Sequence, residues 1–198
     1  GEISIKKYKN VEKFDILREI KEYFNLAHTP YVVEAYDNSH LFGEASVGAM
    51  VRYEHGEWAK QNYRHMHLNS KNDYEQMRES LTARALRFDK LSPPDLWVID
   101  GGEALLNLAC EILASSGANV DVIAISKEKI DAKAHRAKGG ARDKIYASSG
   151  VFTLPVGDRR LQFFQRLRDE AHRFAITFHQ KTKRKEDLGA SKLADAGV

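Results

Sequence analysis

The chain has 198 residues, 42% apolar and 30% charged, with one cysteine and a net charge of +3. This excludes a disulfide framework and a cysteine-based zinc site, and it favours a globular domain with a sizeable core. No run approaches the roughly 18 continuous apolar residues of a membrane-spanning helix, and Gly1–Lys9 lacks the apolar core of a secretory signal, so the expectation is a cytoplasmic protein in a reducing compartment.

Residues 10–25 predict an amphipathic helix, with Val11, Phe14, Leu17, Ile20 and Phe24 at a helical period and Asn10 as its cap; Pro30 forbids continuation. Residues 1–29 therefore read as a helical lead-in or linker. Tyr31–Tyr36 is rich in β-formers and ends at Asp37, which predicts a first strand. A second strand follows over Ala45–Tyr53, then a turn at Glu54-His55-Gly56-Glu57 and a third strand over 58–68, together an antiparallel meander. Residues 72–89 predict a helix with Tyr74, Met77, Leu81, Ala85 and Phe88 on its apolar face, ended by Ser92-Pro93-Pro94.

Leu96–Ile99 is an almost wholly apolar run, the pattern of a buried parallel strand. Asp100-Gly101-Gly102 follows, then a helix over Glu103–Ser115 and a strand over Val120–Ile125. Residues 126–143 read as a mobile basic loop, and Lys144–Ala147 with Val151–Leu154 as a hairpin around Ser148-Ser149-Gly150. The last helix is expected over 158–179, with Leu161, Phe164, Leu167, Ala171, Phe174 and Phe178 as its buried stripe. Residues 30–185 form the main domain in this reading, and 186–198 a flexible polar tail. The order β-β-β-α-β-α-β-…-α predicts an α/β fold: a mixed sheet, antiparallel meander plus parallel strands, flanked by helices. The ribonuclease H-like fold is one of several with that order.

The modest net charge hides an asymmetry. Residues 127–146 carry seven cations against three acids, and residues 159–185 carry nine against two. Such a surface suits a polyanion, although a solvated basic face has the same composition.

Asp37 and Asp100 each follow an apolar strand. Singly, either suits a turn or a helix cap. If the strands are neighbours, two carboxylates meet at the carboxyl edge of a sheet, where open α/β sheets hold their ligands, and a hard divalent cation would relieve their repulsion. His172, in Arg168-Asp169-Glu170-Ala171-His172-Arg173, borders the apolar stripe of the last helix; a neutral imidazole there can ligate Mn²⁺, contact water held by Mg²⁺, or act as a general base. His65 and His67 alternate on a strand, but their polar setting favours exposure. Ser39-His40 lacks the turn motif of a nucleophilic serine, and Gly101-Gly102 carries no phosphate-loop signature.

Four stretches in order carry a resemblance: Ala35-Tyr36-Asp37-Asn38-Ser39-His40, Asn72-Asp73-Tyr74-Glu75-Gln76-Met77-Arg78, Pro94 through Gly102, and Arg168 through Ile176 followed by His179 and a basic run. On these, residues 31–185 resemble the C-terminal endonuclease domain of UvrC, the incision subunit of bacterial nucleotide excision repair. The resemblance implies a ribonuclease H-like fold and a catalytic Asp37, Asp100 and His172 binding Mg²⁺ or Mn²⁺. It implies hydrolysis of a DNA strand 5′ of a lesion. Asp73 matches a further acidic position. Phosphate contacts are expected from Lys127, Arg136, Lys138, Arg168, Arg173, Lys181, Lys183 and Arg184.

The implied partners are damaged double-stranded DNA and, through parts of the longer protein, UvrB and the UvrA–UvrB–DNA complex. Residues 192–198 resemble the start of a helix-hairpin-helix module. The family's GIY-YIG nuclease and its UvrB-binding segment do not occur in this sequence, so a fragment that binds DNA weakly is expected. Departures from the family pattern are Asn38 for Ile, Glu103 for Lys, and Pro155-Val156-Gly157-Asp158-Arg159 for Pro-x-Asp-Ser. Rival readings are a resolvase or hybrid ribonuclease on the same fold, a non-catalytic nucleic-acid-binding domain, and a hydrolase using Ser39-His40.

Overall fold

The computed structural model describes residues 14–39, 46–128 and 142–196. In chain order these form α1 (residues 14–23), β1 (Val32–Ser39), β2 (Ser46–Glu54), β3 (Glu57–Trp58), a 3-10 turn (Lys60–Asn62) and β4 (Arg64–Leu68). Then come α2 (Asp73–Ala85), β5 (Leu96–Asp100), α3 (Glu103–Ser116), β6 (Asp121–Lys127), β7 (Asp143–Ala147), β8 (Gly150–Phe152) and α4 (Arg159–Ala196). The strands make one sheet in the order β3-β2-β1-β5-β6-β7-β8, with β4 also paired to β2. β1, β5 and β6 run parallel and the flanking pairs antiparallel, which is the mixed sheet the element order predicts.

Strand alternation divides the core into two layers. Val33, Ala35, Leu96, Val98, Ile123 and Ile125 face α1 and α4, while Tyr36, Trp97, Ile99, Val122 and Ala124 face α2 and α3. Leu96–Ile99 needs apolar residues at every position because both its faces are covered.

Several expectations are corrected. The single third strand is two, because Tyr53 pairs with Trp58 and Met50 with Arg64, so the five residues Ala59–Tyr63 face only Val51 and Arg52. The surplus loops out of the ladder as the 3-10 turn. The predicted turn before it is tight, with positive φ at both His55 (48°) and Gly56 (88°). Tyr74 is exposed, and α2 buries Gln76, Ser80 and Arg84 beside Met77 and Leu81. β1 runs two residues beyond Asp37. The helix expected to end near residue 179 continues to Ala196 through the expected tail; the apolar stripe stops, which ends burial but not a run of good helix formers. In the lead-in, Leu17, Ile20 and Phe24 of α1 and the turn after it are buried in the same layer as the α4 stripe. Val11 and most of the basic loop lie outside the described residues. No described helix is long and apolar enough to cross a membrane.

Candidate active site

The two aspartates are brought side by side by the parallel register. Tyr36 of β1 is the partner of Ile99 of β5, so Asp37 and Asp100 occupy the next rung. Alternation sends both toward the α4 face, in line with Ala35 and Val98. The chain leaves β5 at Gly101, whose φ of 156° and whose position, where a Cβ would lie 2.3 Å from Leu105 Cδ1, require glycine. Gly101 N–H donates to the Ile125 carbonyl, fixing the end of β5 against β6.

α4 lays His172 over this edge. His172 Nδ1 lies 2.9 Å from Asp37 Oδ2. A carboxylate only accepts, so Nδ1–H is the donor of this bond. Asp37 is buried, whereas the His172 side chain is 61% exposed, which leaves Nε2 accessible to water. Asp100 is open to solvent on one side. Protein crowding of its carboxyl, and the adjacent Asp37 with which it shares a hydrogen bond, push its pKa up to about 6, against the opposing pull of Arg168 and His172.

This arrangement differs in one respect from the expected ligand set. His172 is turned to a carboxylate oxygen, and among the described residues no three His, Cys, Asp or Glu side chains are grouped to share an ion. What is present is a pair of like-charged oxygen donors in contact. That donor chemistry fits a hard divalent cation, since like charges so close resist joint ionisation without one.

Arg168, expected on DNA, is engaged within the fold: its Nη1 donates to Asp143 Oδ1 at 2.8 Å, Nε lies near Asp169, and its side chain is 13% exposed. Asp143 also accepts from Gln165 Nε2 at 2.8 Å. Burial pushes the Asp143 carboxyl up, but these two donors outweigh it and hold the group below the usual range. Arg173 is exposed but forked onto Glu170, which also accepts from the Tyr63 hydroxyl at 2.7 Å. Lys127 and Arg184 are exposed. Arg136 and Lys138 lie outside the described residues, as do the side chains of Lys181 and Lys183, although α4 carries those two positions.

Asp73 opens α2 next to Asn72, whose Oδ1 accepts from Glu75 N–H; an exposed acid in a first turn suits the helix dipole. His65 does not point to solvent as its polar surroundings suggested: its ring stacks on Phe174 at 3.8 Å, and Nε2–H donates to the Phe174 carbonyl at 2.7 Å. His67 is exposed and meets the edge of Phe178. The Ser39 side chain and His40 lie outside the described residues. Asp143 escaped the sequence reading because it sits at the end of a basic loop with no strand pattern of its own.

A family model described as the UvrC RNAse H endonuclease domain matches residues 21–176. The chain is 62% identical over 196 residues to "UvrABC system protein C" of Campylobacter jejuni (strain RM1221), a match covering 99% of this chain and 33% of that protein. It is 54% identical over 183 residues to the same-named protein of Helicobacter pylori (strain G27), covering 92% of this chain and 31% of that one. The chain thus spans about a third of the length of these curated relatives. Among solved structures, Ciona intestinalis endonuclease V in complex with a 24mer DNA superposes with a TM-score of 0.50 at 12% identity, covering 92% of this chain and all of that one. The catalytic domain of human endonuclease V gives a TM-score of 0.51 at 12% identity, covering 77% and 83%. At that identity the likeness concerns the fold, a ribonuclease H-like mixed sheet.

Proposed function

The chain belongs to the UvrC RNase H endonuclease domain family, and from that premise we propose that it hydrolyses a phosphodiester bond of double-stranded DNA at the carboxyl edge of β1 and β5, with Mg²⁺ or Mn²⁺ as cofactor. The observation carrying this reading is the meeting of Asp37, Asp100 and His172, with 135 residues of chain separating the two members of the 2.9 Å contact.

Asp37 and Asp100 are the residues that would hold the cation, which when bound supplies Lewis-acid stabilisation of charge on the phosphoryl group. Asp37 has a second task. By accepting the hydrogen bond of His172 Nδ1–H it fixes the tautomer and orients the ring, so that Nε2 faces outward as the base for an attacking water. Protonation of Nε2 gives an imidazolium that the buried Asp37 carboxylate stabilises. Lys127 and Arg184, with the basic positions of α4 and the 126–143 segment, would grip backbone phosphates without reading sequence. Within the longer relatives the same step is assigned, in this reading, to the incision 5′ of a lesion, on damaged DNA presented by the UvrA–UvrB complex.

The test is nicking of a duplex by the chain in Mg²⁺ or Mn²⁺ against a chelator, with an RNA–DNA hybrid alongside. Asp37→Ala and Asp100→Ala should abolish nicking, and His172→Ala should lower its rate by about 10²- to 10⁴-fold, all three remaining folded. Preferential scission of the hybrid would assign a ribonuclease. Salt-sensitive binding with no cation-dependent scission at high protein concentration would leave only a binding domain.

A further inference from the structure

The stripe that docks α4 on the sheet is apolar: Leu161, Phe164, Leu167, Ala171 and Ala175 are buried. The stripe fixes which face of the helix meets the sheet, but apolar contact is non-directional and leaves the last degrees of roll less well defined. His172 must nevertheless meet Asp37 within hydrogen-bonding distance. Directional bonds at the flanks bear on that finer roll.

On the β4 flank, Tyr63 O–H donates to Glu170 at 2.7 Å and His65 Nε2–H to the Phe174 carbonyl at 2.7 Å. On the flank of the acids, besides His172 itself, Asp143 makes directional contacts with α4. Its two oxygens are divided between two residues of α4, Oδ2 to Gln165 Nε2 and Oδ1 to Arg168 Nη1, both at 2.8 Å. Gln165, Arg168 and His172 recur at spacings of three and four, one face of the helix. Asp143 is itself fixed, as the partner of Lys127 in the β6–β7 ladder. Its side chain is 9% exposed and that of Arg168 is 13% exposed, so the pair is nearly dry and its geometry well determined. The same clamp keeps the Arg168 guanidinium within electrostatic reach of Asp100.

We propose that Asp143 is a positioning residue for the reaction: its clamp on Gln165 and Arg168 sets the roll of α4 and thereby the contact between His172 and Asp37. The inference rests on the nuclease reading above. With Asp143 removed, the apolar stripe and the β4 flank keep α4 docked, but the histidine drifts from its acid.

The experiment compares Asp143→Ala, Asp143→Glu and wild type in the 198-residue chain. In Asp143→Ala the expected single-turnover nicking rate falls about 100-fold, the cost of misplacing a catalytic group by roughly an ångström, while DNA affinity and circular dichroism hold. Asp143→Glu, which keeps both acceptors, recovers part of the rate. Selective ¹⁵N labelling of histidine supplies the readout a merely structural role would not move. The Nδ1–H tautomer of His172, dominant in wild type, gives way to a mixture in Asp143→Ala. Wild-type nicking by Asp143→Ala, or a fall with the His172 tautomer unchanged, overturns the proposal. If Asp143→Ala does not fold, Arg168→Lys carries the same comparison. It keeps the charge beside Asp100 but shortens and re-aims the donor of the single bond to Asp143 Oδ1, and an unshifted tautomer there is equally fatal. Should wild type cut no DNA, the nuclease reading fails, while the tautomer still decides the clamp.

Discussion

Glu34 and Asp37 stand three residues apart on β1, on opposite faces of the sheet, and their carboxylates are treated in opposite ways. Glu34 is fully buried and saturated. Arg52 and Arg84 donate to it, joined by the Tyr36 hydroxyl and Trp97 Nε1, and both guanidinium groups also hold the Ser92 carbonyl. Burial and the Glu34 charge together hold the Tyr36 phenol well above its ordinary pKa, so it stays a donor. Asp37 is nearly as buried, yet it is given one imidazole and a second acid. With Glu54, which accepts from Arg52 Nε, the first site sets two acids against two guanidinium groups and stabilises only the fold. The second keeps a pair of acids at an open edge, offset only in part by Arg168 and His172, which costs stability; in the proposed function that pair holds the cation. Unbalanced charge, more than burial, separates the face of the candidate site from the structural one.

The comparison breaks most visibly at Glu34. Glu34→Gln leaves the buried Arg84 without a counter-charge and Arg52 with Glu54 alone, and should cost about 3–5 kcal/mol, a large share of the stability of a domain this size. Urea denaturation measures it, and a loss no larger than that of a surface substitution would mean that the network is not balanced as described.

A smaller effect of opposite sign is expected at Asp100. Its folded pKa of about 6 lies above the ordinary carboxylate value, so the fold favours the protonated form. Ionising the group therefore costs stability as the pH rises from about 4 through 6. Asp100→Asn removes that cost, and in chelator its melting temperature should match wild type near pH 4 and exceed it above pH 6, with nicking lost. A variant less stable at neutral pH would refute the partly offset pair.

The smallest change sharpens the contrast by sparing both acids. Asp158 caps α4, accepting from Arg160 N–H at 2.9 Å and pairing with its side chain. Asp158→Ala should cost about 1 kcal/mol and leave the nicking rate intact, because the clamp and flank bonds lie further along the helix. A matching loss of rate would place the control of His172 at the helix start instead.

Much of this was legible in the residues. Leu96–Ile99 announced a doubly covered strand, and the recurring Leu161, Phe164, Leu167 and Ala171 announced the face of α4. Asp37 and Asp100 stood out because a charge directly after an apolar strand needs a reason, and a family resemblance joined His172 to them. Glu34 sat in plain view inside Tyr-Val-Val-Glu-Ala-Tyr but had no visible partner, since Arg52 and Arg84 belong to other elements. The pairing of Arg168 was hidden for the same cause: a cation in a basic run reads as a phosphate contact, and its acid, Asp143, lies on a distant strand.

Sequence alone decided most of the segments that form strands and helices and the faces they bury, because hydrophobic periodicity and glycine or proline punctuation act over a few residues. The tertiary structure decided which charges would be cancelled. Electrostatic balance depends on distances of a few ångströms between groups as far apart in the chain as Asp37 and His172 or Asp143 and Arg168, and only sheet register and helix roll set those distances.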